Sequence, residues 1–390
     1  MTQTIALIVD AYRELNAKKL FWITMLLSGL VVLIYAAIGI NENGVTFLWF
    51  GLDFLPMTSE QVPPAMLYKM IFINLGIGIW LTWIAAVLAL ISTAGIIPEM
   101  ISGGSIEMLL SKPISRTRLF VTKYITGLLF AALQVLVFTT ACFLVIGIRG
   151  GSWEPSLFLA VPLVVCFFSY LFAFCALIGV LTRSTIAALL LTLLFWFGLF
   201  VINTGDNVLM AFKTQFETQR DGYQASLDSS REAASKILTS RRADSDDPLP
   251  ADYVATDEDM RSVSPWIAKA FDNRDEAAEN IRKIEPWTKG VYLAKTALPK
   301  TQETVALLER WTISKADLQE LSEKFKDEDE EPGPTLEETG GNIDIDQDEV
   351  SRRMQEKIRE RPAWWVIGTS LLYELFIVGI AAFIFKRRDH

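Results

Sequence analysis

Six apolar runs constrain the fold of this chain more than any other feature. They cover residues 20–40, 67–97, 119–148, 157–181, 186–201 and 363–385. An uncharged helix of about 20 residues crosses the hydrocarbon core of a bilayer, so each run predicts a transmembrane helix. Just over half of the chain is apolar and its mean hydropathy is +0.33, which excludes a single soluble globule. We therefore predict an all-α polytopic membrane protein with six transmembrane helices and a soluble part.

Residues 1–19 predict an amphipathic helix that lies on the cytoplasmic leaflet. Apolar and charged side chains alternate there at helical spacing and occupy opposite faces. The first apolar run follows Lys18 and Lys19 and contains no small-residue cleavage site. We interpret that run as a retained helix and not as a signal peptide.

Lysine and arginine in the short loops set the predicted orientation. Basic residues precede the first run, separate the second from the third and the fourth from the fifth, and follow the sixth. The intervening loops, 41–66 and 147–156, hold only Arg149. Basic loops favour the cytoplasmic side, so both termini and the loop 98–118 are predicted to be cytoplasmic. Parity then places the segment between the fifth and sixth helices outside.

That segment, 204–362, is predicted to be an acidic helical domain. Residues 204–361 hold 35 acidic and 23 basic residues, whereas the rest of the chain holds 10 and 13. Apolar residues recur at helical spacing, and proline-rich or acid-rich stretches near 241–264 and 326–347 predict linkers. A basic cluster argues against an outside location; it comprises Arg352, Arg353, Lys357, Arg359 and Arg361.

Catalytic and metal chemistry find little support in the sequence. The one histidine is His390, so catalytic triads and zinc sites that need several histidines are excluded. The cysteines, Cys142, Cys166 and Cys175, all fall in predicted transmembrane helices and are interpreted as small apolar residues. We predict no catalytic residue, no metal site and no disulfide framework.

A phosphate-binding loop is also missing from the sequence. The nearest match, KGVYLAKT at 289–296, has Lys289 and Ala294 at the positions that require glycine. If ATP drives this protein, a separate chain must bind it. The acidic balance of the chain further disfavours nucleic acid as a partner.

Glu374 lies near the middle of the sixth run. A charged carboxylate there costs about 3 kcal/mol on insertion scales, so it requires protonation, a partner or a wet cavity. Asn74 and Tyr373 are the hydrogen-bond partners we expect for it. Two interpretations stay open: Glu374 and Asn74 line a translocation path, or Glu374 bonds one helix to another.

The loop 98–118 is more elaborate than a connector requires. Pro98 is predicted to end or kink the second helix, and Gly103 and Gly104 predict a hinge. Ile106, Leu109 and Leu110 follow at helical spacing until Pro113, and Ser115 or Thr117 can cap the third helix. A short helix with an apolar face suits docking into a groove on another protein.

The stretch EMISGGSIEMLLSKPISRTRLFVTKYITGLL, which begins at Glu99, resembles the corresponding loop of ABC-2 type transporter permeases, and FIFKRRD resembles their usual ending. The chain is most similar to the subgroup linked to multicopper-enzyme (nitrous-oxide reductase) maturation. It departs from the family pattern at Pro98 and Gly103. Positions that match the family loop, together with Gly103, form the predicted ATPase-coupling loop: Glu99, Gly103, Gly104, Glu107, Leu109, Leu110, Lys112, Pro113 and Arg116.

The resemblance implies a permease homodimer in the bacterial inner membrane, in contact with membrane lipid. It also implies two ATPase subunits that bind ATP and magnesium, and a coupling helix in the loop 98–118. Three functions stay open. The chain is an ABC exporter permease, an ABC subunit that performs conformational work on a periplasmic or surface protein, or an ATP-independent scaffold or channel.

Overall fold

The computed structural model describes residues 13, 19–42, 44–48, 50–51, 58–59, 62–102, 115–243, 248–250, 252–313 and 339–387. Within these residues, six helices are long and apolar enough to cross a membrane, which confirms the predicted fold class. They span Lys19–Ala37, Pro64–Ile101, Arg116–Arg149, Pro155–Thr182, Thr185–Arg242 and Trp364–Arg387. The predicted interfacial helix lies outside the described residues, apart from Arg13 and Lys19.

The first transmembrane helix, α1 (Lys19–Ala37), ends earlier than residue 40. The chain continues as an antiparallel sheet of three short strands, β1 (Ile38–Asn41), β2 (Gly44–Phe47) and β3 (Phe50–Gly51). Ile38 pairs with Phe47, and Thr46 pairs with Gly51. The apolar run did not distinguish strand from helix, because a short apolar stretch fits both.

The second transmembrane segment consists of α2 (Pro64–Ile71), a π-helical stretch (Phe72–Ala85), α3 (Ala86–Thr93) and α4 (Ile96–Ser102). The break predicted at Pro98 occurs at Ala94 and Gly95. Pro98 has no N–H group to donate to the carbonyl four residues earlier, which is that of Ala94. The helix resumes at once, since Glu99 donates its N–H to the Gly95 carbonyl at 2.9 Å.

The remaining transmembrane helices are α5 (Arg116–Arg149), α6 (Ala160–Thr182, after a 3₁₀ turn at Pro155–Leu159), α7 (Thr185–Arg242) and α12 (Thr369–Arg387, after a π-helical turn at Trp364–Gly368). Helix α6 is the centre of the core, because α5, α12 and the shorter α10 (Thr301–Thr312) all pack against it. Its buried side chains include Phe167, Phe172 and Tyr170.

Helix α7 is far longer than the apolar run 186–201 that predicted it. It contains 58 residues, and a rise of 1.5 Å per residue gives it a length of about 87 Å. Its second part is polar and carries no proline, so the helix continues after the apolar pattern has ended. The sequence predicted a transmembrane helix and separate helical spacing in the insert, whereas the structure joins the two into one helix.

The chain divides into two compact units. The membrane unit comprises the described residues of Met1–Val201, Lys295–Lys326 and Pro362–His390. The insert unit comprises those of Ile202–Ala294 and Asp327–Arg361. Residues 295–313 were predicted to belong to the insert 204–362, but they group with the membrane unit.

The insert unit has a core of its own around Tyr223, Leu227 and Phe271. Beyond the polar part of α7 it contains α8 (Asp257–Val263), α9 (Pro265–Ala297, to residue 294) and α11 (Gln347–Glu360). Helix α8 lies inside the linker predicted near 241–264, and Thr256 and Asp259 begin it with a reciprocal capping box. Most of the other predicted linker, 326–347, is outside the described residues.

Candidate functional site

Residues 103–114 of the predicted coupling loop lie outside the described residues. Seven of its predicted functional residues fall there: Gly103, Gly104, Glu107, Leu109, Leu110, Lys112 and Pro113. Glu99 and Arg116 are described and lie on either side of these residues. Glu99 belongs to α4, and Arg116 is the first residue of α5.

The Glu99 end is fixed to the core by α4. Ile97, Met100 and Ile101 on this helix are all buried. Helix α4 packs against α5 and α6, and the approach to α6 is close at Gly179. A Cβ atom at Gly179 would lie only 3.0 Å from Cγ of Pro98. Glycine at this position therefore lets the proline ring rest on the end of α6.

The Arg116 end is fixed by a helix cap and by burial. The Ser115 hydroxyl accepts a hydrogen bond from the Arg118 backbone N–H at 3.3 Å, as the capping prediction requires. Leu119 and Phe120, in the first turn of α5, are 1% and 0% exposed. Motion of either end of the loop would thus be transmitted directly to the packed core of the membrane unit.

Glu374 on α12 forms the second candidate site. Its Oε1 atom accepts a hydrogen bond from the Tyr124 hydroxyl of α5 at 2.8 Å. Its Oε2 atom accepts one from the Ser169 hydroxyl of α6 at 2.7 Å. One carboxylate thus joins three transmembrane helices, and both of its oxygens have a donor.

The expected partners of Glu374 are engaged elsewhere. Asn74 donates from Nδ2 to the Met70 carbonyl on its own helix at 2.9 Å. The ring of Tyr373 stacks on Phe195 at a centroid distance of 6.1 Å. The actual partners of Glu374 could not be predicted from sequence order, because Tyr124 is separated from Glu374 by 250 positions.

Aromatic packing positions the Tyr124 hydroxyl. The Tyr124 ring stacks on Phe172 of α6 at 5.2 Å with 9° between the ring planes. A Cβ atom at Gly127, one turn along α5, would lie 2.6 Å from the Phe172 ring. Only glycine permits this contact without a shift, and the contact in turn orients Tyr124 towards α6 and α12.

Helix α10 brings a buried lysine into the membrane unit. Lys300, directly before α10, is 2% exposed. Its ammonium group donates to Thr369 Oγ1 at 2.6 Å and to the Leu298 carbonyl at 3.2 Å, and lies 4.4 Å from the centre of the Trp365 ring. These contacts attach α10 to the start of the sixth transmembrane segment.

Two further contacts strengthen the attachment of α10. The Lys300 backbone N–H donates to the Ser370 hydroxyl at 2.9 Å. Lys295 and Glu303 form a salt bridge in which the side chains are 5% and 12% exposed. The sequence did not predict this arrangement, because the burial of both lysines depends on tertiary packing and not on their neighbours in sequence.

Gln134 borders a small cavity among the first four transmembrane segments. The cavity has a volume of about 20 Å³ and is lined mainly by small residues, with Thr24 and Ser28 as its other polar side chains. The side chain of Gln134 is buried, and its amide nitrogen has no hydrogen-bond partner within the described part of the chain. A void of this size has room for about one water molecule.

The basic cluster before the sixth transmembrane segment is paired with acids of α7. Arg353 contacts Asp221 at 2.9 Å, Lys357 contacts Glu217, and Arg361 contacts Asp206 at 2.8 Å. The basic residues occur every fourth position, so they share one side of α11 and its end. The three basic residues are thus paired with acids of the same unit.

No group of three or more metal-ligating side chains occurs among the described residues. The KGVYLAKT stretch, 289–296, lies inside the helix α9. Helical backbone N–H groups are used within the helix and cannot cradle a phosphate, so this stretch is not a phosphate-binding loop.

Comparison with known proteins identifies one family. A family model described as ABC-2 family transporter protein matches residues 51–390. This range includes both described ends of the loop 98–118, the Glu374 site and the whole insert unit. No curated protein and no solved structure gives a significant match to the chain.

Proposed function

Because this chain belongs to the ABC-2 family of transporter proteins, we propose that it couples ATP hydrolysis by a separate ATPase to movement of its transmembrane helices. The family match, which extends over residues 51–390, carries this proposal. Membership makes the chain a multi-pass membrane component of an ABC transporter. The partner, the coupling loop and the orientation are proposals that build on this membership.

The first proposal concerns the ATPase. Membership of the family implies an ABC ATPase as a partner. We propose two copies of it, each with bound ATP and magnesium, on a homodimer of the permease. The absence of a phosphate-binding motif from the sequence, and the helical state of its nearest match, support the division of labour.

The second proposal assigns coupling to the loop 98–118. Its described ends are packed into the core: α4 rests on α6, and the first turn of α5 is buried. Displacement of a docked segment between these ends would shift both α4 and α5 against the helices they pack on, as in shear between packed helices. Glu99, at the described start of the loop, and Arg116, at its end, then flank the surface that the ATPase contacts.

The third proposal is the orientation. We propose a bacterial inner-membrane protein with cytoplasmic termini and an extracytoplasmic insert unit. The basic loops support it. Parity over six transmembrane helices also supports it, because the insert unit follows the fifth helix.

Two outputs of the coupled movement are compatible with this architecture. One is export along a path that Glu374 and Asn74 line. The other is conformational work on an extracytoplasmic partner protein. Helix α10 favours the second output, since α9 leads directly into a segment that is attached to the sixth transmembrane segment through Lys300. Movement of that segment would therefore reach the chain of the insert unit.

The coupling proposal is tested by Leu109→Asp in the complex with its ATPase. An acid on the predicted apolar face of the loop is expected to abolish co-purification of the ATPase, or to lower its permease-dependent turnover at least tenfold. A tenfold loss corresponds to about 1.4 kcal/mol. Leu293→Asp is the matched control, because Leu293 is an exposed leucine of the insert unit. Unchanged co-purification and turnover in Leu109→Asp would contradict the proposal. A chain that never binds an ATPase would instead support the ATP-independent scaffold or channel.

A further inference from the structure

Glu374 is a carboxyl group in the middle of a transmembrane helix, and no described cation forms an ion pair with it. Its hydrogen bonds are those from Tyr124 and Ser169, and no ion pair among the described residues includes it. An ionised carboxylate at this depth costs about 3 kcal/mol unless donors or water compensate. The hydroxyl groups are therefore what stabilises the charged form.

Each of the two hydroxyl groups has a second acceptor within reach. The Tyr124 hydroxyl lies 3.1 Å from the Ser169 carbonyl oxygen, as well as 2.8 Å from Glu374. The Ser169 hydroxyl lies 2.8 Å from the Cys166 carbonyl oxygen, as well as 2.7 Å from Glu374. A hydroxyl carries one proton and donates to one acceptor at a time, so each group donates either to Glu374 or to the backbone carbonyl oxygen.

These alternative acceptors allow two hydrogen-bond patterns, one for each charge state of Glu374. When Glu374 is ionised, Tyr124 and Ser169 both donate to the carboxylate. When Glu374 is protonated, its own proton is donated to the Tyr124 oxygen, and the Tyr124 proton turns to the Ser169 carbonyl. Ser169 continues to donate to the other carboxyl oxygen. Neither state leaves a buried polar group unsatisfied, which is the usual cost of changing charge inside a protein.

The surroundings do not fix either state. The titratable side chains that face Glu374 are Tyr124 on α5 and Cys166 and Tyr170 on α6. All three are neutral in their ordinary state at neutral pH. Lys300 contacts α12 at Thr369, more than one turn before Glu374. The side chain of Glu374 is half-buried.

We propose that Glu374 is a reversible proton-binding site, and that Tyr124 and Ser169 stabilise both of its charge states by turning their hydroxyl groups. The proton comes from the aqueous phase and returns to it; no other bond is made or broken. Uptake changes which atoms join α5, α6 and α12, so proton binding alters the contact among these three helices. The proposal does not depend on the ATPase or on the coupling loop.

The test is infrared difference spectroscopy of the full-length protein in lipid nanodiscs during a pH titration. A protonated carboxyl group has a distinct C=O stretching band. We expect a band that grows as the pH falls and that is lost in Glu374→Gln. Glu154→Gln is the matched control, because Glu154 lies in the same unit but is paired with Lys69 at 2.9 Å; it should leave the band unchanged.

A second variant keeps the test informative if Glu374→Gln folds poorly. Tyr124→Phe removes one donor to the ionised carboxylate, so the band should persist to a higher pH and shift in frequency. Two results would overturn the proposal. One is the absence of any band that depends on Glu374 over the pH range in which the protein stays folded. The other is a band of constant intensity over that range.

Discussion

Arg361 donates from Nη2 to Oδ2 of Asp206 at 2.8 Å, and the two side chains are only 14% and 6% exposed. This pair joins the end of α11 to α7 inside the insert unit. A buried ion pair whose partner is removed leaves a desolvated charge behind, which is more costly than the loss of the attraction itself. Removal of one member is therefore expected to destabilise the insert unit by more than the pair itself stabilises it.

We expect Arg361→Gln to lower the free energy of unfolding of the insert unit by about 3 kcal/mol, because Asp206 would stay buried without this partner. Glu232→Gln is the control: it breaks a pair with Lys236 in which the side chains are 80% and 75% exposed. Exposed pairs contribute at most about 1 kcal/mol. Hydrogen exchange of α7 and α11 peptides in the full-length protein measures both. Equal protection in the two variants would contradict the expectation.

The pH dependence of the insert unit follows from its paired acids. Hydrogen bonding to Arg231 lowers the pKa of Asp257, and hydrogen bonding to Arg353 lowers the pKa of Glu349. A carboxyl group whose pKa is lowered by folding stabilises the fold above its ordinary pKa of about 4 and loses that contribution as the pH falls below it.

Stability of the insert unit should therefore be flat at neutral pH and fall on acidification below about pH 4. Asp257→Asn removes one of these titrations and should make the fall shallower. Hydrogen exchange of α8 and of the polar half of α7, followed as a function of pH, provides the measurement. An insert unit that becomes more stable on acidification would contradict the sign.

The close contact at Gly127 makes a packing prediction. An added methyl group would lie 2.6 Å from the Phe172 ring, so Gly127→Ala should destabilise the membrane unit by about 1–3 kcal/mol. Gly198→Ala is the matched control, because a Cβ atom there has no neighbour within 4 Å. Thermal unfolding in the same detergent compares them. A loss of stability in Gly198→Ala as large as that in Gly127→Ala would contradict the packing argument.

Lys300 makes a prediction about α10. Lys300→Met keeps the length of the side chain but removes the donor to Thr369 and to two backbone carbonyls. We expect about 2 kcal/mol less stability for the docked α10 and faster hydrogen exchange there. Lys289→Met is the control, since Lys289 is 72% exposed in its pair with Glu285. Unchanged exchange at α10 would mean that Lys300 does not anchor it.

The sequence predicts the transmembrane part of this fold well, because hydropathy is a local property. Each of the six apolar runs corresponds to a helix that is long and apolar enough to cross a membrane, although the first run extends past the end of α1. Helical spacing in the first part of the insert was also predicted, but its continuity with the fifth transmembrane helix in α7 was missed, because hydropathy does not show where one helix continues into a polar segment. The strand β1 was missed because its residues 38–40 continue the apolar run of α1, and such a short apolar stretch fits a strand or a helix.

The contacts of the candidate sites were not predictable from one sequence. Glu374 stood out because a carboxyl group in an apolar helix is rare, yet its partners come from α5 and α6, far away in the chain. Lys300 gave no signal, since its burial depends on how α10 packs against α6 and not on its neighbours in sequence. Ser115 was predicted correctly because helix capping is local.

The central claim is that the loop 98–118, and not the insert unit, engages the ATPase. Cys142, Cys166 and Cys175 are the chain's cysteines, so replacing them with alanine gives a background for site-specific cross-linking. Leu109→Cys in this background is expected to cross-link to the ATPase. Ser229→Cys, at an exposed position of the insert unit, is expected not to do so. Cross-linking from Ser229→Cys without cross-linking from Leu109→Cys would contradict both the coupling loop and the proposed orientation.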